Sequence, residues 1–309
     1  MKKNLILTLI VILSFMAIML IGNIIVIGDK IARLFPYADY VFYGIILLLI
    51  VFYVVVPFFR VFFAPSIPAL NNSELIGLSD EELFKFGILL AENNKYINES
   101  NKKKTKQARK AHYLELRDYF ERHNGRKDNT INKISEEIDV RIKLLNKHIK
   151  EEALSAFIIT GLSQNGKFDM ISLLAINFRL IKKIVMSSGF RPSHRQLIWI
   201  YFNVLISSIL TDIDDEVLAD LDLSTITDRI KVPSIIVKST IDGAISALLT
   251  LRIGYITKYY IVNGREKFNK KEARMYGFQN ARKNITTITG EGSKKIGQRM
   301  GNLMLSIFK

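Results

Sequence analysis

Two long runs without a charged residue, near the start of the chain, limit what this sequence can fold into. The first extends over residues 5–27 and the second over residues 40–59. At about 1.5 Å per residue, a helix over the first run is about 34 Å long, which exceeds a hydrocarbon core of about 30 Å. Inside lipid the backbone amides have no other hydrogen-bond partner, so we predict that both runs are helices.

The short connection between the runs predicts that they form an antiparallel hairpin. Only 12 residues, 28–39, separate them. Lys2 and Lys3 before an apolar run are also typical of a signal peptide, but the run is longer than a usual signal sequence and no small-residue cleavage site follows it. We therefore expect residues 1–63 to be a transmembrane anchor that leaves both termini on the same side of the membrane.

The rest of the chain is basic in two blocks and contains no cysteine. The formal net charge is +15, and residues 95–127 and 264–309 carry +7 and +8 of it. Such blocks bind anionic lipid headgroups or nucleic acid. The lack of cysteine excludes disulfides and a cysteine nucleophile. A large basic domain without disulfides is most simply cytoplasmic, although the positive residues flanking the two runs nearly balance.

Beyond the anchor, the pattern of apolar residues predicts helices. Ser79 and Glu82 have the spacing of a capping box, and apolar residues recur at helical spacing from Ile131 to Ile149. The predicted fold class is therefore all-α, a two-helix transmembrane hairpin followed by a mostly helical cytoplasmic domain. One stretch, VPSIIV at residues 232–237, instead favours a short strand.

We divide the cytoplasmic part into three regions. Residues 64–127 are a helical linker with a basic run, residues 128–263 are a helical core domain, and residues 264–309 are a basic amphipathic tail. Three apolar segments supply the predicted core, and the shortest, 197–210, has 14 residues between charges. That length suits a core helix or a re-entrant segment better than a membrane span. The core segments are 168–186, 197–210 and 241–262.

One arginine interrupts the last of these segments. On a helical wheel Arg252 falls among apolar residues, while Thr250, Thr257 and Lys258 fall on the opposite side. The uncharged run before Arg252 covers only residues 243–251, too short to span a bilayer. We therefore expect a buried helix of the cytoplasmic domain, with a charge on its apolar face.

A charge on an apolar face has to be paired or reach water, because an uncompensated buried charge is very costly. Asp169 is the first candidate partner of Arg252, and the acidic run 212–216 is the second. One interpretation is a buried ion pair that fixes the register of two helices. The other is an exposed groove where Arg252 meets a partner protein or a phosphate.

Two groups of cations are candidate lipid contacts. Each has a second interpretation: the first group as a solvated helix face, the second as part of a tail helix that docks on its own domain. The first group is Lys102, Lys103 and Lys104, and the second is Lys294, Lys295 and Arg299.

Three further stretches carry a resemblance to a known family. They are GLSQNGKFDMISLLAINFRLIKKI (161–184), SGFRPSH (188–194) and ALLTLRIGYITKYY (247–260). In order and spacing they resemble the YcjF-like family of uncharacterised bacterial inner-membrane proteins. The matching positions are Ser163, Asn165, Gly166, Asp169, Gly189, Arg191, Pro192, Thr250, Arg252 and Gly254. The chain departs from the family at Gln164, where Pro is usual, and at Val262-Asn263, where an Arg-Pro pair is usual.

The resemblance implies a helical domain anchored in the bacterial inner membrane and a GTPase as partner. Among the matching positions, the candidate structural or partner site comprises Asn165, Gly166, Asp169, Arg252 and Gly254. Self-association of the chain is a further expectation.

No catalytic, cofactor or metal motif is expected. The stretch TGEGSKKIGQRMG has two glycines at phosphate-loop spacing, but Gln298 stands where a lysine is required. The lysine run lacks the interleaved aromatic residues typical of nucleic-acid binding. We therefore expect a non-enzymatic membrane adaptor. The alternative is a membrane-remodelling or pore-type protein whose apolar segments insert into the bilayer.

Overall fold

The computed structural model describes residues 22, 25, 26, 28–33, 37–51, 56–64, 75–163, 166–209, 234–263 and 269–307. Within these residues the protein forms nine α-helices and no β-strand, which confirms the predicted all-α fold class. The chain divides into two compact units, residues 1–60 (unit 1) and residues 61–309 (unit 2).

The described part of unit 1 contains two helical stretches that lie against each other. Helix α1 covers Ala38–Ile50, and residues 28–32 are also helical. The Tyr43 hydroxyl donates a hydrogen bond to the carbonyl of Ile25 at 3.4 Å, and a Cβ added at Gly28 would collide with the Tyr43 ring. The chain therefore turns back on itself between residues 28 and 43. Helix α2 (Val56–Phe62) leads from unit 1 into unit 2.

The two predicted membrane spans fall largely or partly outside the described residues. Of residues 5–27 only 22, 25 and 26 are described, and of residues 40–59 the stretch 52–55 is not. In the part of the chain that the structure describes, no helix is both long enough and apolar enough to cross a membrane. The transmembrane hairpin stays a prediction.

Unit 2 continues with helices α3 (Asp80–Glu92) and α4 (Lys102–Arg122). The predicted capping box is confirmed, since Ser79 Oγ accepts a hydrogen bond from the Glu82 amide at 3.3 Å and the Glu82 carboxylate accepts one from the Ser79 amide at 2.9 Å. A Cβ at Gly87 would lie 2.7 Å from the Phe120 ring, so α3 and α4 pack closely.

Helix α5 (Lys127–Leu162) is 36 residues long and is shared by two groups of helices. Its amino-terminal half contacts α3 and α4, and its carboxy-terminal half packs on the helices that follow it. The predicted apolar stripe is buried at Ile134, Ile138, Leu145 and Ile149.

The remaining helices are α6 (Gly166–Ser188), α7 (His194–Ile209), α8 (Ser234–Val262) and α9 (Lys270–Ile307). The first three contain the apolar segments predicted as core, and their described side chains are largely buried. The strand predicted at residues 232–237 is wrong for residues 234–237, which form the start of α8. Residues 232 and 233 lie outside the described residues. Gly189, with φ of 83°, ends α6 and lies directly against Asn93.

Glycines set how closely α8 approaches its neighbours. A Cβ at Gly243 would lie 2.7 Å from the carbonyl oxygen of Phe157, and one at Gly254 would lie 2.8 Å from Ile149. Helices α5 and α8 are therefore antiparallel and in close contact. On another side of α8, a Cβ at Gly277 of α9 would lie 2.7 Å from Ile256.

The predicted division of α8 into an apolar and a polar face is wrong. Thr250, Thr257 and Lys258, expected on the outer side, are buried, whereas Arg252, expected among buried residues, is partly exposed. The reason is that α8 has neighbours on several sides, and its small residues form the side that packs on α5. Threonine can enter such an interface because its hydroxyl bonds within the helix, as Thr257 does to the Ile253 carbonyl at 2.8 Å.

Candidate functional site

Helix α1 exposes large apolar side chains that a soluble protein would bury. Tyr40 is 70% exposed and Leu47 is 62% exposed. No charged residue occurs between Tyr40 and Ile50. Extended exposed apolar surface of this kind marks a contact with lipid or with another protein. The exposed aromatic and aliphatic residues of this surface are Tyr37, Tyr40, Val41, Ile45, Leu47 and Leu48.

The basic run at the start of α4 has an outer and an inner part. Lys102, Lys103 and Lys104 are exposed on the first turn of the helix, as a lipid contact requires. Arg109 instead folds back on the preceding loop, where its guanidinium donates to the carbonyls of Ile97 at 2.8 Å and Lys95 at 2.7 Å. Arg109 therefore holds the loop in place, and the lysines remain available to an anionic partner.

A shallow depression of about 440 Å³ lies beside this run. Three cations and one carboxylate line it, so its charge is positive overall. Asn94 closes the loop beneath it by donating to the Arg109 carbonyl at 2.7 Å. The lining residues are Asn98, Glu99, Ser100, Lys102, Thr105, Lys106 and Arg109.

A buried ionic network, which was not predicted from the sequence, joins α3, the following loop, α4 and α5. We call it the Glu137 network, comprising Tyr96, His112, Glu137 and Arg141. The Glu137 carboxylate accepts hydrogen bonds from Arg141 at 2.8 Å, Tyr96 at 3.0 Å and His112 at 3.3 Å. Because a carboxylate only accepts, His112 carries its proton on Nε2.

Arg141 is fully buried and crosses to a second helix. Its guanidinium also donates to the carbonyls of Glu137 and Leu90, each at 2.8 Å, and lies 4.6 Å from the centre of the Tyr96 ring. Burial alone raises the pKa of Glu137, but hydrogen bonds from His112 and Arg141 and the Arg141 charge lower it to about 2. The Glu137 carboxylate therefore stays ionised, and Arg141 ties α5 to α3.

Two cations on the surface of α6 lie over a buried carboxylate of α5. Glu152 of α5 is buried and accepts three hydrogen bonds from Arg179, the shortest at 2.6 Å. Lys183 Nζ lies 2.6 Å from the other oxygen of the same carboxylate. Because both cations are partly exposed while the carboxylate is not, this cluster joins α5 to α6 and leaves positive charge on the surface.

A serine, a histidine and a glutamate also lie in line between α5 and α6. His148 Nε2 is 3.0 Å from Ser187 Oγ, and His148 Nδ1 is 3.4 Å from a Glu151 oxygen. The order of groups is that of a hydrolase triad. However, Ser187 is buried inside α6, where helical hydrogen bonds take up the neighbouring amides. This arrangement fixes the imidazole between two helices and does not present a nucleophile.

Lys258 is a buried cation without a carboxylate partner among the described residues. Its ammonium group donates to the Asn146 side chain at 2.9 Å and lies 6.0 Å from the centre of the Tyr255 ring. Burial lowers the pKa of Lys258, since a neutral amide does not replace the lost hydration. Lys258 joins α8 to α5.

The site predicted around Arg252 is only partly described. Gly254 packs against Ile149 of α5, whereas the Arg252 carbonyl lies where α9 crosses, so these two residues face different neighbours. Gly166 begins α6. Asn165 and the side chain of Asp169 lie outside the described residues, as does the acidic run 212–216. The pairing of Arg252 with a carboxylate stays a prediction.

The second group of predicted lipid contacts lies on α9. Lys294 and Lys295 are exposed, and the side chain of Arg299 lies outside the described residues. Ile296, which follows Lys295, is fully buried, and Gly292, which precedes Lys294, lies against the Phe157 ring. Helix α9 is therefore docked on its own unit at least to residue 296, and the lysines lie on its outer side.

Within the described residues, no three metal-ligating side chains come together. No family model matches the chain, and no curated protein or solved structure is detectably similar to it.

Proposed function

We propose that this chain is a non-enzymatic, membrane-anchored helical protein that presents unit 2 to a protein partner at the bacterial inner membrane. The exposed apolar surface of α1 carries the proposal. Transfer of apolar area from water contributes about 25 cal/mol per Å², so a helix with this surface is stabilised by leaving water. The uncharged runs 5–27 and 40–59 supply the length that a two-helix anchor needs.

The absence of cysteine from the chain makes the proposal directly testable. Single cysteines are placed at Ile45 in the second run, at Arg33 between the runs, and at Lys143 on unit 2. A membrane-impermeant maleimide is then applied to intact spheroplasts and to inverted membrane vesicles. We expect Ile45→Cys to be protected in both, Arg33→Cys to react only from the periplasmic side, and Lys143→Cys only from the cytoplasmic side. Labelling of Ile45→Cys in both preparations would rule out the anchor.

The partner class rests on the resemblance to the YcjF-like family, which implies a GTPase. Photo-crosslinking from exposed positions of unit 2 in native membranes, followed by affinity purification under denaturing conditions, identifies what unit 2 contacts. Enrichment of a GTPase over a chain with the same crosslinker at Ile45 supports this partner. Recovery of other proteins alone removes the GTPase and leaves the anchor proposal standing.

The second candidate function, insertion of the apolar carboxy-terminal segments into the bilayer, is less well supported. Leu197, Ile200 and Val204 of α7 are already buried inside unit 2, so insertion would have to open the core. Protease accessibility of residues 197–210 in sealed vesicles separates the two functions. Protection that persists after unit 2 has been unfolded by urea would favour insertion.

A further inference from the structure

The place where the chain enters unit 2 is fixed by side-chain packing. Val61 is fully buried and Ala64 is nearly so. The Phe62 ring lies 4.2 Å, centre to centre, from the ring of His194, in the first turn of α7. The residues that follow the second uncharged run are therefore packed onto the amino-terminal end of α7.

This packing limits the distance between α7 and the membrane. Phe62 follows Phe59, the last residue of the second uncharged run, by three positions. A fully extended chain covers at most about 3.6 Å per residue, so Phe62 lies within about 11 Å of the end of that run. If the run spans the bilayer, the packing of Phe62 on His194 holds the first turn of α7 within about 15 Å of the hydrocarbon core, close to the headgroups.

The side chains exposed at this place suit that region. Phe63 is 73% exposed, and Ile198, one helical turn after His194, is 62% exposed. Arg195, in the first turn of α7, is also exposed. Apolar side chains beside a cation on a helix surface are typical of elements that lie in the membrane interface.

More positive charge lies close by. The start of α9 approaches α7, where Lys270 and Arg274 lie over the Trp199 ring at 5.8 Å and 5.7 Å. Both cations are exposed. Trp199 is itself buried, so its indole supports the cations from below. Both cations add positive charge to the surface beside the first turn of α7.

We propose that Phe63 and the first turn of α7, with Arg195 and Ile198, form a second membrane contact that lies in the headgroup region of an anionic bilayer. This contact rests on the proposed anchor and deepens it. The anchor attaches the chain to the bilayer, and the second contact fixes which side of unit 2 faces the lipid. It is separate from the lysines at 102–104 and 294–295.

Site-specific fluorescence on the full-length chain in proteoliposomes tests the contact. An environment-sensitive fluorophore is attached to a single cysteine at Phe63 or Ile198. Ile45→Cys reports on the anchor, and Leu114→Cys and Val140→Cys are matched controls at exposed apolar positions of α4 and α5. Quenching by nitroxide-labelled headgroups is compared with quenching by aqueous iodide, in vesicles containing anionic phosphatidylglycerol. The fluorescence of the single tryptophan, Trp199, confirms that each variant is folded.

We expect the labels at 63 and 198 to be quenched by the headgroup nitroxide and to show several-fold weaker iodide quenching than those at 114 and 140. If iodide quenches the labels at positions 63 and 198 as strongly as the label at 114, while the label at 45 is protected, the second contact is wrong and the anchor stands. If iodide quenches the label at 45, the proposed function is wrong. If all five labels are quenched by the headgroup nitroxide, unit 2 has no preferred side and the second contact is again wrong.

Discussion

Arg141 is fully buried, and its charge is balanced by one carboxylate and two backbone carbonyls. We expect Arg141→Met to lower the free energy of unfolding by about 3–5 kcal/mol, because it leaves the Glu137 charge buried without its main partner. The matched control is Arg117→Met, which removes an exposed pair with Glu121 and should leave the free energy of unfolding almost unchanged. Urea denaturation in detergent measures both, and equal effects would contradict the role given to Arg141.

The same network predicts a loss of stability in acid. The pKa of Glu137 is about 2 in the folded protein and near its ordinary value of 4.5 in the unfolded chain. A depressed pKa contributes stability above the unfolded value, and that contribution disappears as the pH falls from about 4.5 towards about 2. We expect Glu137→Gln to be less stable than the wild type at neutral pH and to have a flatter stability profile over this acid range. Parallel profiles for the two proteins would contradict the assignment.

Part of this network was visible in the sequence. Arg141 lies at helical spacing between Ile138 and Leu145 on the apolar stripe of α5, just as Arg252 falls among apolar residues on a helical wheel of α8. Glu152, which pairs with Arg179 outside this network, likewise lies on the apolar stripe, three residues after Ile149. Tyr96 and His112 could not be assigned, because they reach Glu137 across 41 and 25 positions of the chain and have no periodic relation to it.

At the scale of elements, the close packing of α5 on α8 depends on glycines in α8, where a side chain would have no room. A Cβ at Gly254 would lie 2.8 Å from Ile149, inside the closest normal contact. We expect Gly254→Ala to cost about 1–3 kcal/mol through overpacking. Gly290→Ala in α9, where no atom lies within 4 Å of the added Cβ, is the control and should stabilise by up to about 1 kcal/mol. Thermal unfolding of the two variants should therefore shift in opposite directions, and a shift in the same direction would refute the close packing.

The helices themselves could be predicted well, and their surroundings less well. Capping at Ser79 and the apolar stripe of α5 are local patterns, and both were confirmed. The faces of α8 were assigned on the assumption that polar residues face water. That assumption fails when a helix has several helical neighbours, because threonine and glycine then favour close packing over exposure.

At the scale of the molecule, the carboxy-terminal helix is expected to support the fold. Truncation after Gly290 removes Gly292, which lies against Phe157, and the fully buried Ile296. Loss of a buried isoleucine with its neighbours costs at least about 2–5 kcal/mol, so this variant should unfold at a clearly lower temperature. Truncation after Met300 keeps both contacts and is the control. A tail that only binds lipid would give equal melting temperatures and weaker vesicle binding in the shorter chain.

The protein partner of unit 2 could not be predicted from patterns within the sequence. The length of an uncharged run is enough to predict a membrane span, because the thickness of the bilayer fixes how long an apolar helix has to be, whatever its tertiary contacts. A protein partner sets no such requirement. The lysines at 102–104 are exposed under either of the interpretations given to them, so exposure does not decide between lipid and water.

Helix α5 has a mechanical consequence. Its 36 residues form a rod about 54 Å long, with the Glu137 network near one end and Phe157 near the other. A rotation of about 5° around one end would carry the opposite end through about 5 Å, roughly the pitch of one helical turn. Because α3 contacts one half of this rod and α8 and α9 contact the other, a tilt imposed at one end would displace the helices packed at the opposite end.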